Sequence, residues 1–216
     1  MSRLNLEHGG DARRQLALER LYRPREASFV APDHDALYHY AASVVGNAEP
    51  MTYIEFGVAQ GNSLRKMVRE FAHPDCLFVG FDSFIGLPDD WLMHKRGAFS
   101  TGGHAPDIDD RRIRFVPGWF QNTLHESLAW LSPRLSGPVL VHYDADLYSS
   151  TLFLLTSLWP YCREYYFIMD DFMQDDIVAL HDFSTAYPVK IEFLGRLQGG
   201  LPHVAFGKMA RTQFVL

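Results

Sequence analysis

Tyr53-Ile54-Glu55-Phe56-Gly57-Val58-Ala59-Gln60-Gly61-Asn62-Ser63, followed after an amphipathic run by Leu77-Phe78-Val79-Gly80-Phe81-Asp82-Ser83-Phe84, decides how this chain is read. The first apolar run is short, β-prone and stops at Gly57. Gly61 comes four residues later, and Asn62 or Ser63 can cap the helix after it. Leu64, Met67, Val68 and Phe71 then recur at helical spacing. The next apolar run ends in Asp82. The pattern predicts a strand, a glycine turn, a helix and a second strand tipped with an acid. In such a βαβ unit the acid can accept from ribose hydroxyls, while the glycine turn lets the backbone approach a nucleoside.

Glycine spacing narrows the ligand. A dinucleotide fingerprint needs G-x-G-x-x-G to seat a pyrophosphate on the helix N-terminus. Here the turn is Gly57-x-x-x-Gly61, and Glu55 stands inside the strand before it. That carboxylate would repel phosphate and disfavours a nicotinamide oxidoreductase. It would suit a cationic ligand such as the sulfonium and ammonium of S-adenosylmethionine. A tight turn without ligand uses glycine too. The nucleoside reading rests on glycine turn, Glu55 and Asp82 occurring together.

With 216 residues and 47% hydrophobic content the chain can bury one sizeable core. Residues 1–50 are expected to form an N-terminal helical appendage or lid, and residues 51–216 the ligand-binding domain. A net charge of −6 offers no basic field to nucleic acid or an anionic membrane. Cys76 and Cys162 lack CxxC spacing and read as reduced core thiols, which suits the cytoplasm. The start, Met1-Ser2-Arg3-Leu4-Asn5-Leu6-Glu7-His8, has no apolar h-region, so no secretory signal is expected. No apolar run approaches a membrane span.

Asp11 to Tyr22 reads as a helix with Leu16, Leu18 and Leu21 on its apolar face, broken by Arg23-Pro24-Arg25. Asp33 caps a second helix through Val45. Both are candidates for a cover over the ligand, a dimer surface or plain packing. The segment from Ser83 to Arg112 is long and irregular but rich in aromatics, and is expected to shape the substrate pocket. Ile113 to Val116 is the third strand, and Thr123-x-x-Glu126 reads as a capping box opening a helix to Leu131. Trp119, beside Gly118, is a candidate adenine-facing ring or a packing residue.

The fourth strand, from Val139, runs into Asp144 and Asp146, and the fifth, Tyr165 to Met169, runs into Asp170-Asp171. Neighbouring parallel strands would gather these acids at the carboxyl edge of the sheet, where open α/β sheets bind ligands. Clustered carboxylates repel unless protonated or bound to a cation, and hard oxygen donors favour Mg²⁺ over zinc. N-cap aspartates without metal are the plainer alternative. Asp175 or Asp176 opens a helix carrying His181, a candidate general base, and His142 reads as a buried strand residue. Val189 to Leu194 and Val204 to Met209 fit a closing antiparallel hairpin turned by Gly199-Gly200-Leu201-Pro202.

Five motifs in order carry a resemblance. They are Glu55-Phe56-Gly57-Val58-x-x-Gly61-x-Ser63, Gly80-Phe81-Asp82-Ser83-Phe84-x-Gly86-Leu87-Pro88, Gly118-x-Phe120-x-x-Thr123-Leu124, His142-x-Asp144-x-Asp146-Leu147-Tyr148-Ser149-Ser150-Thr151 and Asp170-Asp171-Phe172. Together they resemble the macrocin O-methyltransferase (TylF-like) family over about residues 53–183. The resemblance implies an α/β, Rossmann-like class I methyltransferase sheet, mostly parallel with a closing antiparallel hairpin and helices on both faces. It implies a methyl transfer from S-adenosylmethionine to a hydroxyl of a sugar, glycan or glycosylated natural product; a homodimer is expected beside it. Cofactor contacts fall by resemblance on Glu55, Gly57, Gly61, Ser63, Asp82, Ser83 and Trp119, and Mg²⁺ on Asp144, Asp170 and Asp171; Asn62 in the same turn is a further cofactor candidate, and Asp144 and His181 are the candidate catalytic residues. A domain that binds a nucleoside but has lost chemistry, serving as an interaction or regulatory subunit, is the alternative.

Overall fold

The strands are β1 (Phe29–Ala31), β2 (Thr52–Phe56), β3 (Leu77–Asp82), β4 (Ile113–Pro117), β5 (Val139–Tyr143), β6 (Glu164–Met169), β7 (Val189–Leu197) and β8 (Ala205–Arg211). The computed structural model describes residues 4–22, 28–199 and 203–212. All eight strands join in one sheet of order β1-β7-β8-β6-β5-β2-β3-β4. The pairs β2–β3, β2–β5, β3–β4, β5–β6 and β1–β7 are parallel, while β8 runs antiparallel between β6 and β7. The sheet is thus mostly parallel with a closing antiparallel hairpin. The hairpin turn expected at residues 199–202 falls mainly outside the described residues, as do the break at residues 23–25 and the first three residues.

Burial of both sheet faces explains the strand sequences. Every residue of β2 and β5 is buried, so these strands read as continuous apolar runs rather than alternations. Side chains still alternate between faces. Ile54, Phe56, Val79, Phe81, Val141 and Tyr143 pack with helices α1 (Leu4–Leu21), α4 (Phe120–Leu131), α5 (Tyr148–Leu158) and α6 (Ile177–Ala186). Tyr53, Phe78, Leu140 and Ile168 pack with α2 (His34–Val45) and α3 (Asn62–Glu70). Helices therefore cover both faces. Among the described residues, no helix is long and apolar enough to cross a membrane.

The residues before 51, read as a helical appendage, supply β1 to the sheet, α2 to one face and α1 to the other. Three residues between turns gave no periodicity by which β1 could be recognised. Helix α1 begins at Leu4 rather than Asp11, and it buries Ala17 while Leu16 is 42% exposed. Asp33 caps α2 as expected, accepting from Ala36 N at 2.8 Å. Three other caps differ. Gly61, in a left-handed conformation, precedes α3 without a side-chain cap. Helix α4 starts at Phe120, so Thr123 lies inside it and bonds back to the Trp119 carbonyl. One wide helical turn, Phe172–Asp176, precedes α6, and Asp176 turns inward to accept from Thr151 instead of capping.

Candidate active site

The carboxyl ends of β2, β3, β4 and β5 open onto one cleft. Its walls are the glycine turn after β2 (Gly57, Ala59), the tip of β3 (Asp82, Ser83), the turn before α4 (Gly118, Trp119, Phe120) and the β5–α5 turn (Asp144, Asp146). The loop after β3 closes one side with Gly86, Leu87, Pro88 and Phe99. A second arm shares Ala59, Phe99 and Asp144 and continues to Asn62, Ser63 and Thr101.

Gly57 is where the two halves of the cleft touch. Its φ of 91° is left-handed, and a Cβ there would lie 1.7 Å from the Asp144 carbonyl oxygen. Only glycine allows β2 to turn against the end of β5 so closely. Asp82 braces the same turn. Its Oδ2 accepts from Val58 N (2.8 Å) and Ala59 N (2.7 Å), and its Oδ1 accepts from Phe84 N (2.7 Å). The acid at the tip of β3 thus fastens the turn while still lining the cleft.

Glu55 does not line the cleft. It is fully buried on the α2–α3 face, where Oε1 accepts from Ser63 Oγ (2.6 Å) and Oε2 from the Tyr53 hydroxyl (2.6 Å). Strand alternation turns it away from the ligand side, and Ser63 is spent on it. The Tyr53 hydroxyl points its proton at Glu55, so the 2.9 Å contact with His142 Nδ1 makes that nitrogen a donor to the Tyr53 oxygen. On the ring's other side, Nε2 stands 3.7 Å from Asp170 Oδ1, and His34 Nε2 lies 3.9 Å from the same oxygen. Burial works against a charged His142, but Asp170 and Glu55 outweigh it and hold the ring at about 10, as an imidazolium. Burial likewise works against ionised Asp170, and His142 pulls it below the ordinary carboxylate value.

That pairing changes the acid cluster. Oxygens of Asp144, Asp146 and Asp171 converge within 4.8 Å of one another, whereas Asp170, expected among the ligands, faces His142. Its attraction to a buried imidazolium is the physical reason. Burial, then the neighbouring carboxylates, push Asp144 well above its usual range, Asp146 to about 8 and Asp171 to about 6. Asp146 also has a left-handed backbone, φ 60°. Such a set takes up protons or a cation, and its oxygen-only donors fit a hard divalent ion.

His181 is not among the residues lining the cleft. It sits on α6 with Nδ1 3.2 Å from Asp182 Oδ1. Asp182 in turn accepts from Arg13 (2.6 Å) and the Tyr148 hydroxyl (2.7 Å), which ties α1, α5 and α6 together. Trp119 is half-buried in the cleft wall, and Ser83 lines the cleft beside Asp82. Phe99, in both arms, was missed by sequence reasoning, since an aromatic in a long irregular loop carries no spacing signal.

Residues 96–193, just under half of the chain, match the family model described as macrocin O-methyltransferase (TylF). The demethyldecarbamoylnovobiocin O-methyltransferase of Streptomyces niveus is 29% identical over 152 residues, 60% of this chain and 56% of that protein. The 8-demethyl-8-(2,3-dimethoxy-α-L-rhamnosyl)-tetracenomycin-C 4′-O-methyltransferase of Streptomyces olivaceus is 29% identical over 185 residues, 72% of this chain and 66% of that protein. The chain thus spans between about half and two thirds of the curated relatives it matches. An O-methyltransferase from Bacillus cereus, solved in complex with SAH, has a TM-score of 0.52 at 12% identity, covering 93% of this chain and 91% of that one. The fold is that of class I O-methyltransferases, and the sequence is similar to the macrocin O-methyltransferase family.

Proposed function

We propose that this chain is an S-adenosylmethionine-dependent O-methyltransferase acting on a hydroxyl of a sugar-bearing natural product. One observation carries the reading: Asp144 and Asp146 line a cleft with a glycine turn, a strand-tip acid and an aromatic wall, and Asp171 converges on them from just after β6. Family and relatives support methyl transfer to oxygen, and the rhamnosyl substrate named for one relative supports the sugar.

Asp82 lines the cleft while holding its three backbone bonds, and its carboxylate would accept from the ribose hydroxyls of the cofactor. Trp119 would flank the nucleobase, and the arm through Asn62 and Thr101 would receive the amino-acid end. Glu55, Gly61 and Ser63 act one step back, by holding the turn. The bound cofactor supplies an already activated methyl group, so the protein's task is mostly positioning. Asp144 and Asp171 would hold a divalent ion, which would supply positive charge to acidify the acceptor hydroxyl, and Asp146 beside them is left as the acceptor of its proton. The hydroxyl proton goes to Asp146, which lines the cleft. His181 then has a packing role on α6.

Calorimetric titration with S-adenosylmethionine and S-adenosylhomocysteine, with and without Mg²⁺, is the test. Micromolar binding, on the order of −8 kcal/mol, followed by labelled-methyl transfer to glycosides that Asp171→Asn loses, would support the reading. Absence of binding under both conditions would overturn it.

A further inference from the structure

A chain of polar side chains runs from the start of α3 across β2 and β5 toward the end of β6, on the α2–α3 face of the sheet. Ser63 Oγ donates to Glu55 at 2.6 Å, the Tyr53 hydroxyl donates to Glu55 at 2.6 Å, and His142 Nδ1 meets the Tyr53 oxygen at 2.9 Å. Tyr53, Glu55 and His142 have no exposed surface. Polar groups stay in a core when their hydrogen bonds are made, and three links of this chain are made. The fourth is open. His142 Nε2 lies 3.7 Å from Asp170 Oδ1, longer than a hydrogen bond, and both atoms are buried without a partner among the described residues. His34 Nε2, 3.9 Å from the same oxygen, is also too far to bond it.

Asp170 stands between two attractions. Its backbone is fixed, because its N donates to the Tyr143 carbonyl at 3.0 Å. Its carboxylate is not tied in the same way, since Oδ1 accepts from no donor among the described residues. On one side is the imidazole of His142. On the other are Asp144 and Asp171, and Asp170 is near enough for its charge to act on both. A cation held by those two acids would draw the Asp170 carboxylate toward them. The ring of His142 draws it back, and that ring is itself held from behind by Tyr53 and Glu55.

We propose that His142, held in place by Tyr53 and Glu55, is a positioning residue for Asp170: it keeps that carboxylate apart from Asp144 and Asp171, and a divalent ion must take Asp170 from His142 to gain a further ligand. Groups behind the ligands commonly set how a metal is held, and here the group behind them competes with the ion. Ion binding then includes the cost of moving Asp170, so the buried chain lowers the affinity of a site that it does not touch. This role rests on the divalent ion of the proposed function and adds what sets its affinity. A chain that served only to satisfy buried polar groups would act with the opposite sign, because breaking it would loosen the acid edge. Tyr53→Phe separates the two. It takes a donor from Glu55 Oε2 and an acceptor from His142 Nδ1 at once, and these two atoms are 3.8 Å apart. They close on each other, which draws the ring away from Asp170.

The test titrates Mg²⁺ into the full, cofactor-free chain by calorimetry. Tyr53→Phe should bind Mg²⁺ about five- to tenfold more tightly than wild type, although it removes a hydroxyl that bonds none of the acids at the strand ends. The gain should need Asp170. In an Asp170→Asn background, Tyr53→Phe should change Mg²⁺ affinity by less than about twofold. His142→Asn places an amide nitrogen near the position of Nδ1 and leaves nothing at Nε2, so it should repeat the gain, and it decides the matter if Tyr53→Phe does not fold. Equal or weaker Mg²⁺ binding in both variants, or a gain that survives Asp170→Asn, would overturn the positioning role. S-adenosylhomocysteine titrated into the same samples separates the two readings. Cofactor binding without the Mg²⁺ gain keeps the methyltransferase reading and removes the positioning role. The Mg²⁺ gain without cofactor binding does the reverse.

Discussion

Glu55 and Asp82 on one side of Gly57, and Asp144, Asp146 and Asp171 on the other, are carboxylates only a strand or two apart that live under opposite conditions. Glu55 accepts two side-chain hydroxyls and Asp82 accepts three backbone N–H groups. The other three crowd within 4.8 Å of each other, and no N–H donor among the described residues bonds them. Their proton affinities are raised by burial and by one another. A satisfied carboxylate holds the fold together, whereas a crowded one is a standing demand for a cation or a proton. The first kind builds the cleft and the second gives it a use.

The comparison breaks most severely at the residue between the two sets. Gly57→Ala should cost more than about 4 kcal/mol, because the new Cβ collides with backbone at a left-handed position. Thermal unfolding should fall by roughly 8–16 °C for a chain of this size, if the variant folds. Loss of His142 comes next. His142→Gln leaves buried Glu55 and half-buried Asp170 without their shared cation, and should cost about 3 kcal/mol in denaturant unfolding. A cost under 1 kcal/mol would mean that the buried chain is not ionic.

Asp82→Asn sets an amide against backbone N–H groups and should cost about 2–3 kcal/mol. Asp176 supplies the pH arm. It is buried, accepts one bond from Thr151 and is pushed up to about 7 by burial. The folded chain keeps this proton above pH 4, where the unfolded chain has lost it. Its contribution therefore falls as pH rises toward 7, by about 2–3 kcal/mol between pH 5 and 8. Stability curves of wild type and Asp176→Asn should converge at low pH and separate at pH 8, with the variant the more stable. Asp146→Asn is the smallest and has the opposite sign to Asp82→Asn. Relieved repulsion should stabilise the metal-free protein by about 1 kcal/mol while weakening Mg²⁺ binding. Destabilisation in that variant would show the acid edge to be built like Asp82, for structure.

Much of this was legible along the chain. The β2–turn–α3–β3 unit followed from apolar periodicity and two glycines, and the motifs from Gly80 to Pro88 and from His142 to Thr151 pointed to the family that comparison also finds. Caps were less legible, because Ser63, Thr123 and Asp176 have the chemistry of cap residues but partners elsewhere. Ser63 bonds Glu55, and Asp176 bonds Thr151. Glu55 was expected at the ligand because a strand acid beside a glycine turn looks exposed in one dimension. Strand alternation put it on the opposite face, with His142 in register beside it.

The sequence alone determined the sheet class, the glycine turn, the acids at the strand ends and the lack of a basic field, since each depends on local periodicity, backbone freedom or composition. Which acids stand together was decided only by the tertiary structure. Asp170 and Asp171 are neighbours in the chain, yet one faces a buried imidazolium and the other joins Asp144 and Asp146. Adjacent residues leaving a strand point to opposite sides, and electrostatics then acts on whatever lies within a few ångströms in space, not on separation along the chain.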